Sequence, residues 1–213
     1  MKIELFVNNP FRENTIVLYD ETGEAAIVDC GCYTPEEETA VAAFFREQGL
    51  TPVALLNTHL HIDHILGNRF AEERFGLLSR AAKEDEYLLA CVPEHALRFG
   101  MKGVNEPPVL GGYLKDGDTV AFGHTELRVI ATPGHTPGGL CFYHEAGRLL
   151  LSGDTLFAGS IGRTDLPGGD TGQLLDAIRT KLFVLDEKTQ VIPGHGQATT
   201  IGREKSSNPF VRP

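Results

Sequence analysis

The period of the apolar residues changes several times along the chain. Residues 14–19 (NTIVLY) and 25–28 (AAIV) are β-branched runs separated by Asp20-Glu21-Thr22-Gly23, which predicts two strands joined by a tight turn. From Thr34 the spacing becomes helical. Val41, Phe44 and Phe45 form one stripe, and Thr34 and Glu37 have the spacing of a capping box. Pro35 suits the first helical position and Gly49 the end. Residues 53–56 read as a buried strand, and 64–75 as a second helix closed by Gly76. A short strand at 77–78 and a helix at 81–89 follow, after which Pro93, Pro107 and Pro108 predict loop. Beyond Tyr113 the pattern is β again. Asp116-Gly117-Asp118 marks a turn, and 127–131, 140–143 and 149–151 are short strands. A glycine-rich loop at 159–169 leads to a last helix, capped by Asp170 and Gln173, with Leu175, Ile178, Leu182 and Leu185 as its buried stripe. A strand at 190–192 completes the set. The order strands–helix–strand–helix recurs loosely in both halves with no linker between them, which predicts a single α/β domain over residues 1–213.

Composition narrows the class. A chain of 213 residues that is 41% apolar and 23% charged is an ordinary globular mixture with room for one sizeable core. Nineteen Lys+Arg against 29 Asp+Glu give a net charge of −10, which argues against a surface made to hold nucleic acid. No apolar run approaches the ~20 residues of a membrane span. The opening MKIELFVNNP lacks the apolar stretch of a secretory leader. The expectation is an acidic, soluble, cytoplasmic protein with neither nucleic acid nor membrane as partner. Cys30, Cys91 and Cys141 lie in or beside apolar runs and are expected as small core residues, while Cys32, in a loop, is expected to be partly exposed. No Cys-x-x-Cys pair occurs.

The candidate chemistry lies where the strands stop. VALLNTHLHIDH, LRVIATPGH, LLLSGD and QVIPGH each end an apolar run in potential metal ligands. Strand ends gathered at one edge of a core would bring His59, His61, Asp63, His64, His135, Asp154 and His195 around one cleft. Side chains two apart in an extended segment point the same way, so His59 and His61 could grip one ion. Asp63 and His64, displaced into the next helix, would serve a neighbouring ion. Imidazole and carboxylate suit zinc, iron or manganese, and no thiolate is placed for a closed structural zinc site. A chance His-x-His-x-Asp-His in such a chain is roughly a one-in-a-thousand event. Two divalent ions and two carboxylates leave a site of net charge +2, which a bridging hydroxide would lower to +1 and which would still attract a carbonyl oxygen. Two metals about 3.5–4 Å apart can both ionise a shared water and polarise a substrate.

On these residues the sequence resembles the metallo-β-lactamase-fold hydrolases, and within them the short glyoxalase II-like (hydroxyacylglutathione hydrolase-like) branch. Thr58-His59-x-His61-x-Asp63-His64 resembles the family signature, Thr132-Pro133-Gly134-His135-Thr136 its third-histidine motif, Ser152-Gly153-Asp154-Thr155-Leu156-Phe157 its bridging-aspartate motif and Pro193-Gly194-His195-Gly196 its last histidine. The resemblance implies a four-layer αββα sandwich with two divalent metal ions, zinc first and iron or manganese as alternatives. It implies that His59, His61 and His135 bind one ion and Asp63, His64 and His195 the other, with Asp154 bridging. Gly162-Arg163 falls where that branch carries a glycine and a basic residue contacting glutathione. There are two departures. Asp165 stands where the branch has a tyrosine, and the separate C-terminal helical domain of its full-length members is not expected after Arg203-Glu204-Lys205.

The activity expected on that basis is thioester hydrolysis, with S-lactoylglutathione as the type of substrate. A metal-bound hydroxide would attack the acyl carbon and a thiolate would leave. A thiol pKa of about 8.5 means the leaving group needs little protonation, consistent with the lack of a separate general acid. Asp63 would orient the nucleophile as well as hold a metal, and Arg163, with Lys205, would meet substrate carboxylates. The rival readings are a persulfide dioxygenase with one iron, held by resemblance through His59, His135 and Asp154, and a metal-dependent nuclease of the same fold. The acidic charge counts against the nuclease. His95, His124 and His144 are expected as surface or turn residues.

Overall fold

Helix α1 (Pro35–Gln48) starts and stops where its sequence places it. Thr34 accepts a hydrogen bond from the Glu37 amide, the Glu37 carboxylate accepts from the Thr34 amide, and Gly49 closes the helix in the left-handed region at φ 66°. The computed structural model describes residues 1–211. The chain divides into two compact units: Met1–Tyr113 together with Phe122–Thr125, and Leu114–Ala121 together with the segment from Glu126 onward.

The first unit contains β1 (Lys2–Asn8), β2 (Glu13–Tyr19), β3 (Glu24–Val28), β4 (Thr51–Leu56), β5 (Ser79–Ala81) and β6 (Leu110–Tyr113). They form one six-stranded sheet in chain order. The first three strands are antiparallel neighbours, and β3 through β6 run parallel. Helix α1 buries Val41 and Phe45 against Val17, Ile27 and Leu55 of this sheet. A second cluster packs Leu60, Ile62 and Ile65 against Leu88, Val92 and Ala96. It draws on the helices α2 (Ile62–Ile65), α4 (Tyr87–Ala90) and α5 (Val92–Arg98), whereas α3 (Asn68–Phe75) buries Ala71 in the first cluster.

Several local expectations are corrected here. Strand β1 was not expected. The helix expected over 64–75 is two helices, because the chain turns at Gly67, where a Cβ would sit 2.7 Å from the Cys30 sulfur. β5 lies at Ser79–Ala81 rather than 77–78. A 3-10 turn at Lys83–Asp85 and then α4 replace the helix expected over 81–89. Helix α5 occupies sequence expected as loop. Its Pro93 falls in the first turn, where a missing N–H breaks no helical bond.

The second unit is built on a sheet of β7 (Thr119–Phe122), β8 (Thr125–Ala131), β9 (Leu140–His144), β10 (Leu149–Gly153), β13 (Gln190–Pro193) and β14 (Thr199–Thr200), in the order β14-β13-β10-β9-β8-β7. The short pair β11 (Leu156–Phe157) and β12 (Ser160–Ile161) lies partly inside the expected glycine-rich loop. Strand β9 is antiparallel to both β8 and β10, and β13 is parallel to β10. Strands β8, β10 and β13 therefore run the same way. Helix α6 (Thr171–Ala177) is capped by the Asp170 side chain and widens into a π turn over Ile178–Leu182. Leu174, Ile178 and Leu182 pack against Ile130, Leu150 and Val191, and the expected Leu175 and Leu185 pack only at the margin. Leu174 precedes Ile178 by four residues, one α-helical turn, and so takes the inward place expected of Leu175. Helix α7 (Ile201–Ser207), capped by Thr200, was not expected from its polar sequence.

Cys30, Cys32 and Cys141 are buried and Cys91 half-buried, with no disulfide among the described residues. Cys32 is thus a core residue, contrary to the expected partial exposure. Burial pushes the Cys141 thiol up to about 11. Among the described residues, no helix is long and apolar enough to cross a membrane.

Candidate metal centre

In the first unit the ligand-type side chains follow the C-terminal ends of parallel strands. Asp29 follows β3, and Thr58 and His59 follow β4. Asp29 organises this edge. Its Oδ1 accepts from the Thr58 amide at 2.7 Å, and its Oδ2 from the Thr58 hydroxyl at 2.6 Å, with the His64 ring Nδ1 3.1 Å from Oδ2. The Thr58 hydroxyl proton is committed to Asp29, so its oxygen is left to accept from His59 Nδ1, 3.1 Å away. An acceptor at Nδ1 fixes the tautomer in which Nε2 carries the lone pair, as in histidines that ligate metals. The His59 ring lies 4.8 Å from that of His61 and 4.1 Å from that of His64. His64 Nε2 is 3.7 Å from the Asp63 carboxylate. His59 and His64 are fully buried, and His61 and Asp63 half-buried.

Behind these ligands Glu13, Asp29 and His64 form a buried cluster whose ligand atoms lie within 4.8 Å of one another. Burial pushes the Glu13 carboxyl well above the ordinary carboxylate range. Asp29 reinforces that shift, and the neighbouring His64 opposes it.

In the second unit the three candidate ligands follow β8, β10 and β13, the strands that share a direction. Both His135 and His195 place Nε2 near one oxygen of Asp154, at 3.6 and 3.7 Å. Those separations are long for hydrogen bonds. They leave room for a cation between each imidazole nitrogen and the carboxylate oxygen. The His135 Nδ1 donates to the Arg163 carbonyl at 2.7 Å, which again fixes the tautomer with Nε2 as the ligand atom. Two glycines shape the site. A Cβ at Gly162 would lie 1.8 Å from the Asp154 carbonyl oxygen. Gly134, at φ 134°, would bring a Cβ to 2.3 Å from the Leu174 amide nitrogen. The turns that carry Asp154 and His195 are joined by a bond of 2.9 Å from the Gly194 amide to the Gly153 carbonyl.

The expected substrate contacts are engaged otherwise. The exposed Arg163 guanidinium donates two bonds of 2.8 Å to Asp165. These hold the Asp165 carboxyl at about 2. Lys205 reaches Glu187 at 3.4 Å, before the start of β13, whereas His195 lies past the end of that strand. Sequence reasoning missed Asp29 and Glu13. Asp29 carried a signal, because AAIVD ends an apolar strand in aspartate as LLLSGD does. Glu13 carried none.

A sequence profile described as "Metallo-beta-lactamase superfamily" matches residues 9–195, a span that takes in every ligand-type residue named above. The chain therefore belongs to the metallo-β-lactamase superfamily and has its mixed α/β fold. Among curated proteins it is 35% identical over 212 residues to hydroxyacylglutathione hydrolase GloC of Haemophilus influenzae, covering 99% of this chain and 98% of that one. Among solved structures it is similar to the B3 metallo-β-lactamase BLEG-1 (33% identity, TM-score 0.89, all of both chains). It is also similar to TTHA1623 in a di-iron-bound form (34% identity, TM-score 0.86, 98% of this chain and 100% of that one).

Proposed function

We propose that this protein is a cytoplasmic, metal-dependent thioester hydrolase acting on small acyl thioesters such as S-lactoylglutathione. His59, His61 and His135 would hold one divalent ion and Asp63, His64 and His195 a second, with Asp154 available to either. The observation that carries the metal reading is the Asp154 carboxylate oxygen flanked by the Nε2 atoms of two histidines at 3.6 and 3.7 Å. The donor set is all imidazole and carboxylate, which fits zinc, iron or manganese. A di-iron form of a relative 34% identical to this chain supports iron as strongly as zinc. The resemblance to GloC supports the thioester substrate, and the four cysteines without a disulfide suit a reducing compartment.

When bound, divalent ions supply Lewis acidity toward a carbonyl oxygen and lower the pKa of water. The side chains of the protein do the rest. Asp29, Thr58 and the Arg163 carbonyl hold His64, His59 and His135 in one tautomer, so their Nε2 atoms need no reorganisation. Asp63 accepts a hydrogen bond from the attacking water and orients it toward the acyl carbon. The C–S bond breaks after the C–O bond forms, and the proton lost from the water passes to solvent. The thiolate leaves without a proton donor, because thiols are acidic enough to depart as anions near neutral pH. Arg163 meets a substrate carboxylate by exchanging its bond to Asp165, since both lie at the surface.

The test is a substrate panel with protein loaded separately with zinc, iron and manganese. Thiol release from S-lactoylglutathione without oxygen uptake is expected. Inert thioesters with turnover of a β-lactam, or oxygen uptake with glutathione persulfide, would replace this reading.

A further inference from the structure

Helix α2 is a single turn, and it carries both Asp63 and His64. A helix leaves its last four carbonyls without partners inside the helix, so a four-residue helix cannot satisfy its own. Two asparagine side chains from separate segments supply the missing donors. Asn9, in the turn between β1 and β2, donates its amide to the Asp63 carbonyl at 2.9 Å and to the Gly31 carbonyl at 2.9 Å. Asn57, just past β4, donates to the His64 carbonyl at 2.9 Å.

Both amides are themselves held. Asn9 adopts a left-handed backbone at φ 52°, which asparagine tolerates better than most residues. Its backbone N–H donates to Glu37 at 2.7 Å, and its side-chain oxygen accepts from the Phe11 backbone N–H at 3.0 Å. The Asn57 oxygen accepts from Asn68 at 2.8 Å, at the start of α3. All three asparagines are buried. A donor locked by partners of its own sets the position of the group it holds, and here that group is the backbone of two ligands.

We propose that Asn9 and Asn57 are positioning residues for the second cation. Each clamps one carbonyl of the turn that presents Asp63 and His64, so the turn is in place before the ion arrives. This inference rests on the ligand assignment above. It does not follow from the need to satisfy two carbonyls alone, since a purely structural bond would affect the melting of the metal-free protein and leave ion affinity unchanged.

The experiment titrates metal-free full-length protein with zinc, and separately with cobalt(II), against a chromophoric chelator. The melting temperature of each metal-free protein is measured alongside. In Asn9→Asp and Asn57→Asp an acceptor replaces each amide donor at nearly constant shape. The expected result is two equivalents bound by the natural protein, with one and the same site loosened by about 10–100-fold in either variant and the other unchanged. The d–d bands of cobalt at the loosened site should shift with it. If Asn9→Asp does not fold, Asn9→Gly keeps the left-handed backbone, lacks the donor and is expected to show a smaller loss at the same site. Uptake of no ion by the natural protein would overturn the metal reading and this inference together. Two equivalents with unchanged affinities in the folded variants would overturn the inference alone.

Discussion

The two units supply their ligand-type residues in opposite ways. In the first unit four of them stand within six consecutive positions, His59 to His64, and one strand end plus one helical turn arrange them. In the second unit three are spread from 135 to 195, and only the common direction of β8, β10 and β13 brings them to one edge of a sheet. Local geometry fixes the first set. Topology fixes the second, as in α/β proteins generally, where sites gather at the carboxyl ends of parallel strands. The first set should therefore be sensitive to what holds one turn, and the second to what holds several loops in register.

The largest effect tests whether both sets serve one chemistry. Replacing either His59 or Asp154 by alanine should lower kcat/KM for the thioester by more than the ~100-fold typical of an outer partner. Two losses of similar size would join the sets functionally. A severe loss for one with near-normal turnover for the other would separate them. Gly162→Ala tests the register of the second set, because the new Cβ would press on the Asp154 carbonyl. About 10–100-fold weaker metal binding is expected, read by chelator competition.

Asp29→Asn tests the first set in the same units. It weakens the partner of His64 Nδ1 and of Thr58, and ~10-fold weaker binding is expected. A loss there smaller than that for Gly162→Ala would place the greater fragility with the dispersed ligands.

Away from the ligands, Asp20 gives a pH test. Burial would raise its carboxyl, but hydrogen bonds from the Thr22 hydroxyl and amide, the His124 amide and the Thr125 hydroxyl hold it far below the usual range. A carboxyl with a depressed folded-state pKa contributes its full stability above its unfolded value, ~3.9, and loses it as pH falls from there toward the folded value. Asp20→Asn should lower Tm by ~2–4 °C at pH 7, with the gap steady down to about pH 4 and closing below it. A gap that widened in acid would contradict this. The smallest effect is expected at the exposed Arg163–Asp165 pair. Asp165→Asn should leave Tm nearly unchanged, as surface pairs do, and lower KM for a glutathione thioester by freeing the guanidinium.

Much of this was legible in the residues. The capping box of α1 needed only Thr34, Pro35 and Glu37, because capping is local chemistry. Helix α5 was missed because Pro93 reads as a breaker unless the start of the helix is already known. In the stripe of α6 the expected Ile178 and Leu182 lie in the core, but Leu174 rather than Leu175 faces it, because 174 and 175 are both leucine and the apolar pattern alone does not choose between them. Glu13, Asn9 and Asn57 left no trace, since their partners are backbone or side-chain groups in other segments.

The sequence by itself determined the kind of chemistry: imidazoles and carboxylates in tight spacing, glycines beside them, and a strand before each. Those are properties of residue type and of neighbours along the chain. Tertiary structure decided which tautomer His59, His64 and His135 hold, that Asp154 lies between two Nε2 atoms, and that the turn bearing Asp63 and His64 is clamped from two sides. Hydrogen bonds across dozens of residues depend on where separate segments meet, and that meeting is set by strand order and core packing, which no short stretch of sequence encodes.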